Sequence, residues 1–207
     1  MISVAIKPIH IKALIPLAAK NDQRSYLTGI YVEVAETESR IVACDGLCLG
    51  VIRSDFGHGD AEITEPIAVI IPMYVAQILA KGKTEFQLNI GENKNLGLER
   101  DCQAITEDGA TIGFASLDGE YPNWRRVADL PMTEDTSPAH FQTGLITKFS
   151  KTAKVLGDPN GNFIIWHRGL DDAAGVYMTF EPDFFGVIMP FRVDAKSGTP
   201  DWAISKL

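Results

Sequence analysis

One order of segments recurs three times along this chain: a short extended run, a helix, then three more extended runs. The first copy opens with the alternating run Ile2 to Ile6. Pro8 suits a first helical turn, and Ile11, Leu14, Ile15 and Ala18 follow at helical spacing, with Pro16 placed to kink or shorten the helix. Ile30 to Val34, Arg40 to Cys44 and Leu47 to Arg53 read as strands, and the pair Asp45–Gly46 marks a tight hairpin between the last two. The second copy runs Pro66 to Ile71, a helix opened by Pro72 and carrying Val75, Ile78 and Leu79, then Phe86 to Ile90, Leu96 to Glu99 and Thr111 to Leu117. The third has Ala139 to Gln142 as a short strand and a helix with Leu145, Ile146, Phe149 and Val155 that stops at Gly157. Phe163 to His167, Gly175 to Phe180 and Phe184 to Met189 complete it.

Strands outnumber helices and the turns are of hairpin type. This predicts an α+β fold, with antiparallel sheets carrying helices on one face rather than a doubly wound parallel sheet. Residues 130–137 hold two acids, a proline and two threonines with no apolar periodicity. The expected organisation is a two-unit domain over 1–129, a linker over 130–137, and a partial second domain with a C-terminal tail over 138–207.

Charge separates along the same lines. The 207 residues carry a net charge of −8, which argues against a surface coated in basic groups. The three expected helical segments, read generously as 8–24, 72–83 and 137–157, hold Lys12, Lys20, Arg24, Lys81, Lys83, Lys148, Lys151 and Lys154 against one acid, Asp22. They sum to +7, and the remainder to −15. Lys148, Lys151 and Lys154 form a stripe at a spacing of three. Such a stripe is a solvated helix face or, with three helices sharing a side, a surface for the phosphate backbone.

Three cysteines are too few for a disulfide scaffold, and Cys44 and Cys48 lack the further ligands of a zinc site, so packed thiols in a reducing cytosol are expected. No apolar run reaches the ~18–20 residues of a membrane span, and Met1 to Pro8 has no secretory pattern; a soluble, cytoplasmic protein is expected. No phosphate-binding glycine loop or Gly-x-Ser-x-Gly elbow is present. Asp45, His58, Asp60 and Asp118 are the candidates for an enzyme, a hydrolase on a β-rich scaffold, but their surroundings read as turns. No catalytic residue, metal or cofactor is expected.

Four segments, in order, resemble the bacterial DNA polymerase III β subunit, the sliding clamp. Val42-Ala-Cys-Asp-Gly-Leu-Cys-Leu-Gly-Val51 resembles that family's ATDGHRLA strand–turn–strand, and Arg24 to Val34 its R..LNGV.LE stretch. Leu117 to Val127 is similar to L.DGKFPDYRRV, and Val187-Ile-Met-Pro-Phe-Arg-Val193 to VVMPMRL. Val69 to Pro72 fits the family's entry from strand to helix. The resemblance implies domains of two strand–helix–three-strand units joined into a ring, with basic helices toward duplex DNA. It also implies an apolar cleft for polymerase or clamp-loader peptides. By position that cleft takes Cys44, Gly46, Leu47, Cys48 and Leu49 from the hairpin and Val187, Met189, Pro190, Phe191, Arg192 and Val193 from the C-terminal segment; otherwise these apolar positions are plain core strand.

The chain departs from the pattern in places. Leu47 and Cys48 replace a His-Arg pair, and Ala128–Asp129 stands where the family has an apolar residue and a proline. Three units stand where the family has six, which suggests a shortened, phage-type homologue. The leading expectation is a non-enzymatic, oligomeric DNA-replication processivity factor. The second is a clamp-fold protein-interaction module with no DNA-encircling role.

Overall fold

The computed structural model describes residues 2–35, 37–54, 63, 65–93, 100–130, 139–167, 169 and 171–192. Unit one contains β1 (Ile2–Ile6), α1 (Pro8–Leu14), β2 (Gly29–Val34), β3 (Ser39–Cys44) and β4 (Cys48–Ser54). Unit two contains β5 (Ile67–Pro72), α2 (Met73–Leu79), β6 (Phe86–Asn93), β7 (Arg100–Thr106) and β8 (Thr111–Ala115), followed by a one-turn helix α3 (Trp124–Ala128). Unit three contains α4 (Thr143–Leu156), β9 (Ile164–Trp166), β10 (Ala174–Tyr177) and β11 (Phe184–Ile188). The fold is α+β, and every strand pairing among the described residues is antiparallel.

The first helix is shorter than its apolar spacing suggests. Pro16 supplies no backbone N–H, so α1 gives way to a single 3₁₀ turn over Ile15–Leu17, and Ala18 is already extended. The second helix stops at Leu79 rather than Lys83. The third starts only at Thr143 and ends where Gly157 takes φ +127°, a conformation an L side chain resists. Ala139 to Gln142 forms no ladder and is not a strand. In the second unit the middle strand is Arg100–Thr106, while the expected Leu96 to Glu99 lies outside the described residues.

Among the described residues two sheets result, in the orders β1-β6-β7-β8 and β5-β2-β3-β4-β11-β10-β9. The opening strands of units one and two are exchanged: β1 lies beside β6, and β5 lies beside β2. Units one and three meet at the pairing of β4 with β11, where Gly50 faces Gly186. A Cβ on Gly50 would stand 2.4 Å from Leu17 Cδ1, and one on Gly186 would stand 2.6 Å from Phe149 Cε1. The two glycines therefore let side chains from the helix layer press onto the backbone of this seam.

The helices lie side by side, with α1 packed along both α4 and α2. Between helices and sheets sits a main core of Ile6, Ile11, Leu14, Leu17, Phe86 and Phe149, all essentially without exposure. Each such side chain contributes about 1.5–3 kcal/mol by leaving water. A second cluster lies under α3 and includes Val42, Cys44, Leu49, Val51, Ile70, Tyr121, Trp124 and Val187.

Candidate DNA-facing helix layer and peptide seam

The helix layer holds the expected cations unevenly. Lys12 is exposed on α1, and Lys151 and Lys154 are exposed on α4. Helix α2 itself carries none; Lys81 and Lys83 stand in the turn after it, and its outward residues include Tyr74 and Ile78, exposed by 62% and 49%. Lys12, Lys81 and Lys83 join Lys7 along one open cleft of about 1390 Å³, between the start of α1, the end of α2 and strands β6 and β7. Glu85 and Glu107 line the same cleft. Lys20 is exposed beyond the 3₁₀ turn.

Two of the eight cations are held elsewhere. Arg24 pairs with Asp22 at 2.8 Å and stands over the hairpin turn, where its Nη2 would lie 3.2 Å from a Cβ on Gly46. Its guanidinium and backbone N–H hold Asp22 down at about 2. Lys148 is half-buried, and its ammonium pairs with the Asp45 carboxylate.

Asp45 organises the hairpin. Its Oδ1 accepts the backbone N–H groups of Leu47 at 2.9 Å and Cys48 at 2.8 Å, while Oδ2 takes Lys148. Gly46 supplies the φ of +92° that the turn needs. Burial raises the Asp45 carboxyl, but Lys148 and the two N–H donors outweigh it and hold the group below the usual carboxylate range.

The hairpin and the C-terminal segment are brought together. Cys48 pairs with Ile188, Leu49 with Val187, and Met189 N–H donates to Leu47 O at 2.9 Å. The expected cleft residues then divide by face. Cys44, Leu49 and Val187 are buried in the cluster under α3, whereas Cys48 points into the main core. Leu47 and Phe191 are exposed by 48% and 39%, Met189 and Pro190 are half-buried, and Arg192 is exposed and paired with Asp171 at 3.0 Å. Val193 lies outside the described residues.

The wall that sequence reasoning missed is α3. Trp124 is buried against the cluster with Ala128 and Leu130 partly buried beside it, and Val127 is exposed by 41%. Arg125 lies over the Trp124 ring at 4.2 Å and bonds Glu33 through Nη1 at 3.0 Å. Tyr31 stacks on Tyr121 at 4.5 Å. The signal was the four-residue spacing of Trp124 and Ala128, one apolar stripe on a single turn.

The thiols of Cys44, Cys48 and Cys102 are buried and unbonded to one another, and burial raises all three, Cys102 to about 11. Of the residues considered for catalysis, Asp45 has both oxygens engaged, Asp118 is exposed, and His58 and Asp60 lie outside the described residues. Among the described residues no helix is long and apolar enough to cross a membrane.

No protein-family model matches the sequence, and neither does any curated protein. Solved structures do match. A DNA polymerase sliding clamp from Pseudomonas aeruginosa, determined with a ligand, superposes with a TM-score of 0.67 at 18% identity over 93% of this chain. The DNA polymerase III subunit β from the same organism gives 0.66 at 19% over 93%. A chain from Eubacterium rectale assigned as a DNA polymerase III β subunit gives 0.63 at 14% over 92%. This chain spans 66%, 67% and 66% of their respective lengths. A repeated helix-and-strand unit, helices gathered in one layer and these superpositions agree: the chain has the fold of the bacterial DNA polymerase III sliding clamp.

Proposed function

We propose that the chain is a non-enzymatic, clamp-type DNA-replication factor of the cytoplasm. It associates with duplex DNA through phosphates along its helix layer and holds polymerase or clamp-loader peptides at the hairpin–C-terminal seam. The observation that carries this reading is the exposure of Lys12, Lys81, Lys83, Lys151 and Lys154 on helices, and on turns leaving them, in one layer, within a chain whose net charge is −8. A contact of this kind is independent of base sequence and weakens steeply with salt. The test is binding to duplex DNA over a salt series for the chain with Lys81, Lys151 and Lys154 changed to Glu. The expected result is weaker binding and a shallower salt slope, each lost phosphate contact lowering it by about 0.9. Unchanged affinity and slope would refute the DNA role.

A second reading is a clamp-fold interaction module with no DNA contact. It is favoured by Tyr74 and Ile78, which give α2 an apolar outer face where phosphate binding would place cations. Binding of a polymerase-derived peptide that survives the three Lys→Glu changes but is lost in Met189→Asp, with the fold retained by circular dichroism, supports that reading.

A further inference from the structure

The exchange of opening strands leaves unit three without a covering strand among the described residues. In units one and two, the first of the three consecutive strands is covered by the opening strand of the other unit: β5 along β2, from Gly29 opposite Pro72 to Val34 opposite Ile67, and β1 along β6. In unit three the corresponding strand is β9, which pairs only with β10 and stands at the end of its sheet among the described residues. Ile164 on that edge is 52% exposed.

The missing strand's counterpart is also on unit three. Residues 139–142 stand directly before α4, as β5 stands directly before α2, and Gln142 is extended at φ −65°, ψ 129°. Strand β5 is flanked on its outer side by the chain leaving its own unit, where Leu117 N–H donates to Ile70 O at 3.0 Å. Residues 139–142 are flanked in the same way, by Phe191 N–H donating to His140 O at 2.9 Å. Their other edge pairs with nothing described. Among the described residues, unit three therefore presents both an unpaired strand edge and a strand-like segment suited to fill one.

We propose that two copies of this chain associate through unit three by reciprocal strand addition. Residues 139–142 of each copy lie antiparallel along β9 of the other, about a twofold axis. A second copy is the occupant because it satisfies both edges at once, whereas a single strand from elsewhere would cover β9 and leave 139–142 bare. The pairings of β5 with β2 and of β1 with β6 start from the residues nearest the helix, so the same register sets Gln142 opposite Ile164. The two third units then rebuild the exchanged pair that units one and two make within one chain. This association needs only the two strand edges and is independent of any DNA contact.

The test is solution mass by light scattering over a concentration series, on the 207-residue chain and on Ile164→Asp. A charge on an exposed edge opposes strand addition without disturbing a buried group. The expected result is an assembly in multiples of twice 22.6 kDa, with self-association at this interface weakened about tenfold or more in Ile164→Asp while its circular dichroism is unchanged. Gln142→Cys with Ile164→Cys provides an independent check, since both positions are exposed and the three native thiols are buried. On oxidation it should give a covalent dimer that neither single variant gives. A chain that is monomeric throughout overturns the proposal. So does an assembly unaffected by Ile164→Asp in which the double-cysteine variant fails to cross-link.

Discussion

Lys148 offers a sharp test because its charge is spoken for. The Lys148 and Asp45 side chains are 25% and 12% exposed, so the pair is largely shielded from water. At an effective dielectric of about 20, two unit charges in contact attract by about 4–5 kcal/mol, and desolvation of both groups cancels most of that. Asp45→Asn keeps an oxygen for the Leu47 and Cys48 N–H groups but removes the charge and turns the acceptor of Lys148 into an NH2 donor, so it should cost about 1–2 kcal/mol. Lys148→Met keeps the apolar stem and should cost a similar amount. The double variant should lose about 1–1.5 kcal/mol less than the sum of the two, measured as a double-mutant cycle by urea unfolding at pH 7.

The sign of the pH dependence follows from the lowered Asp45 carboxyl. The coupling is fully present above the unfolded carboxylate range near pH 4 and disappears as pH falls through the lower folded value. Additivity within about 0.3–0.5 kcal/mol at pH 7 would refute the pairing. Binding separates the same groups: Lys148→Met should leave duplex association nearly unchanged, while Lys151→Glu with Lys154→Glu should weaken it.

Gly50→Ala and Gly186→Ala should each destabilise by about 1–3 kcal/mol in chemical unfolding, because the added methyl meets Leu17 or Phe149 well inside contact distance. Gly113→Ala, where a Cβ has open space, should be near neutral and serves as the control. His10 is lowered to about 4 by burial, then by Lys7, so its contribution is full above about pH 6.5 and is lost as pH falls toward 4. His10→Gln should flatten the pH–stability curve across that window by about 2 kcal/mol, an amount reduced because water reaches part of the ring. The three thiols should react with a thiol reagent only as fast as the chain opens, and a rapid stoichiometric reaction in the folded protein would contradict their burial.

The repeat was legible because alternating apolar runs and helical spacing are local signals. Strand β7 escaped because its inward residues are Cys102 and Ala104, too small to stand out among Arg100, Asp101 and Gln103. Helix α3 escaped because a single turn carries little periodicity, and what secures it is tertiary: Trp124 in the cluster and Arg125 on Glu33 across 92 residues of sequence. The adjacency of hairpin and C-terminal segment came from resemblance, and the register of β4 against β11 brings the two together. The sign of the helical charge was readable by counting, but which cations face solvent was not. Pairing of Lys148 with Asp45 spans 103 residues, and no local pattern announces it.

The facing glycines at the seam of β4 and β11 have a mechanical consequence. Leu17 and Phe149 reach into the space those residues leave, one from each side of the joint, and act as wedges. Flexing the joint would have to withdraw both, returning two fully buried side chains toward water at about 3–6 kcal/mol together. The angle between units one and three is thus set by backbone proximity rather than by the choice of surface residues. Substitutions on either exterior that spare these two contacts leave the packing of the joint intact.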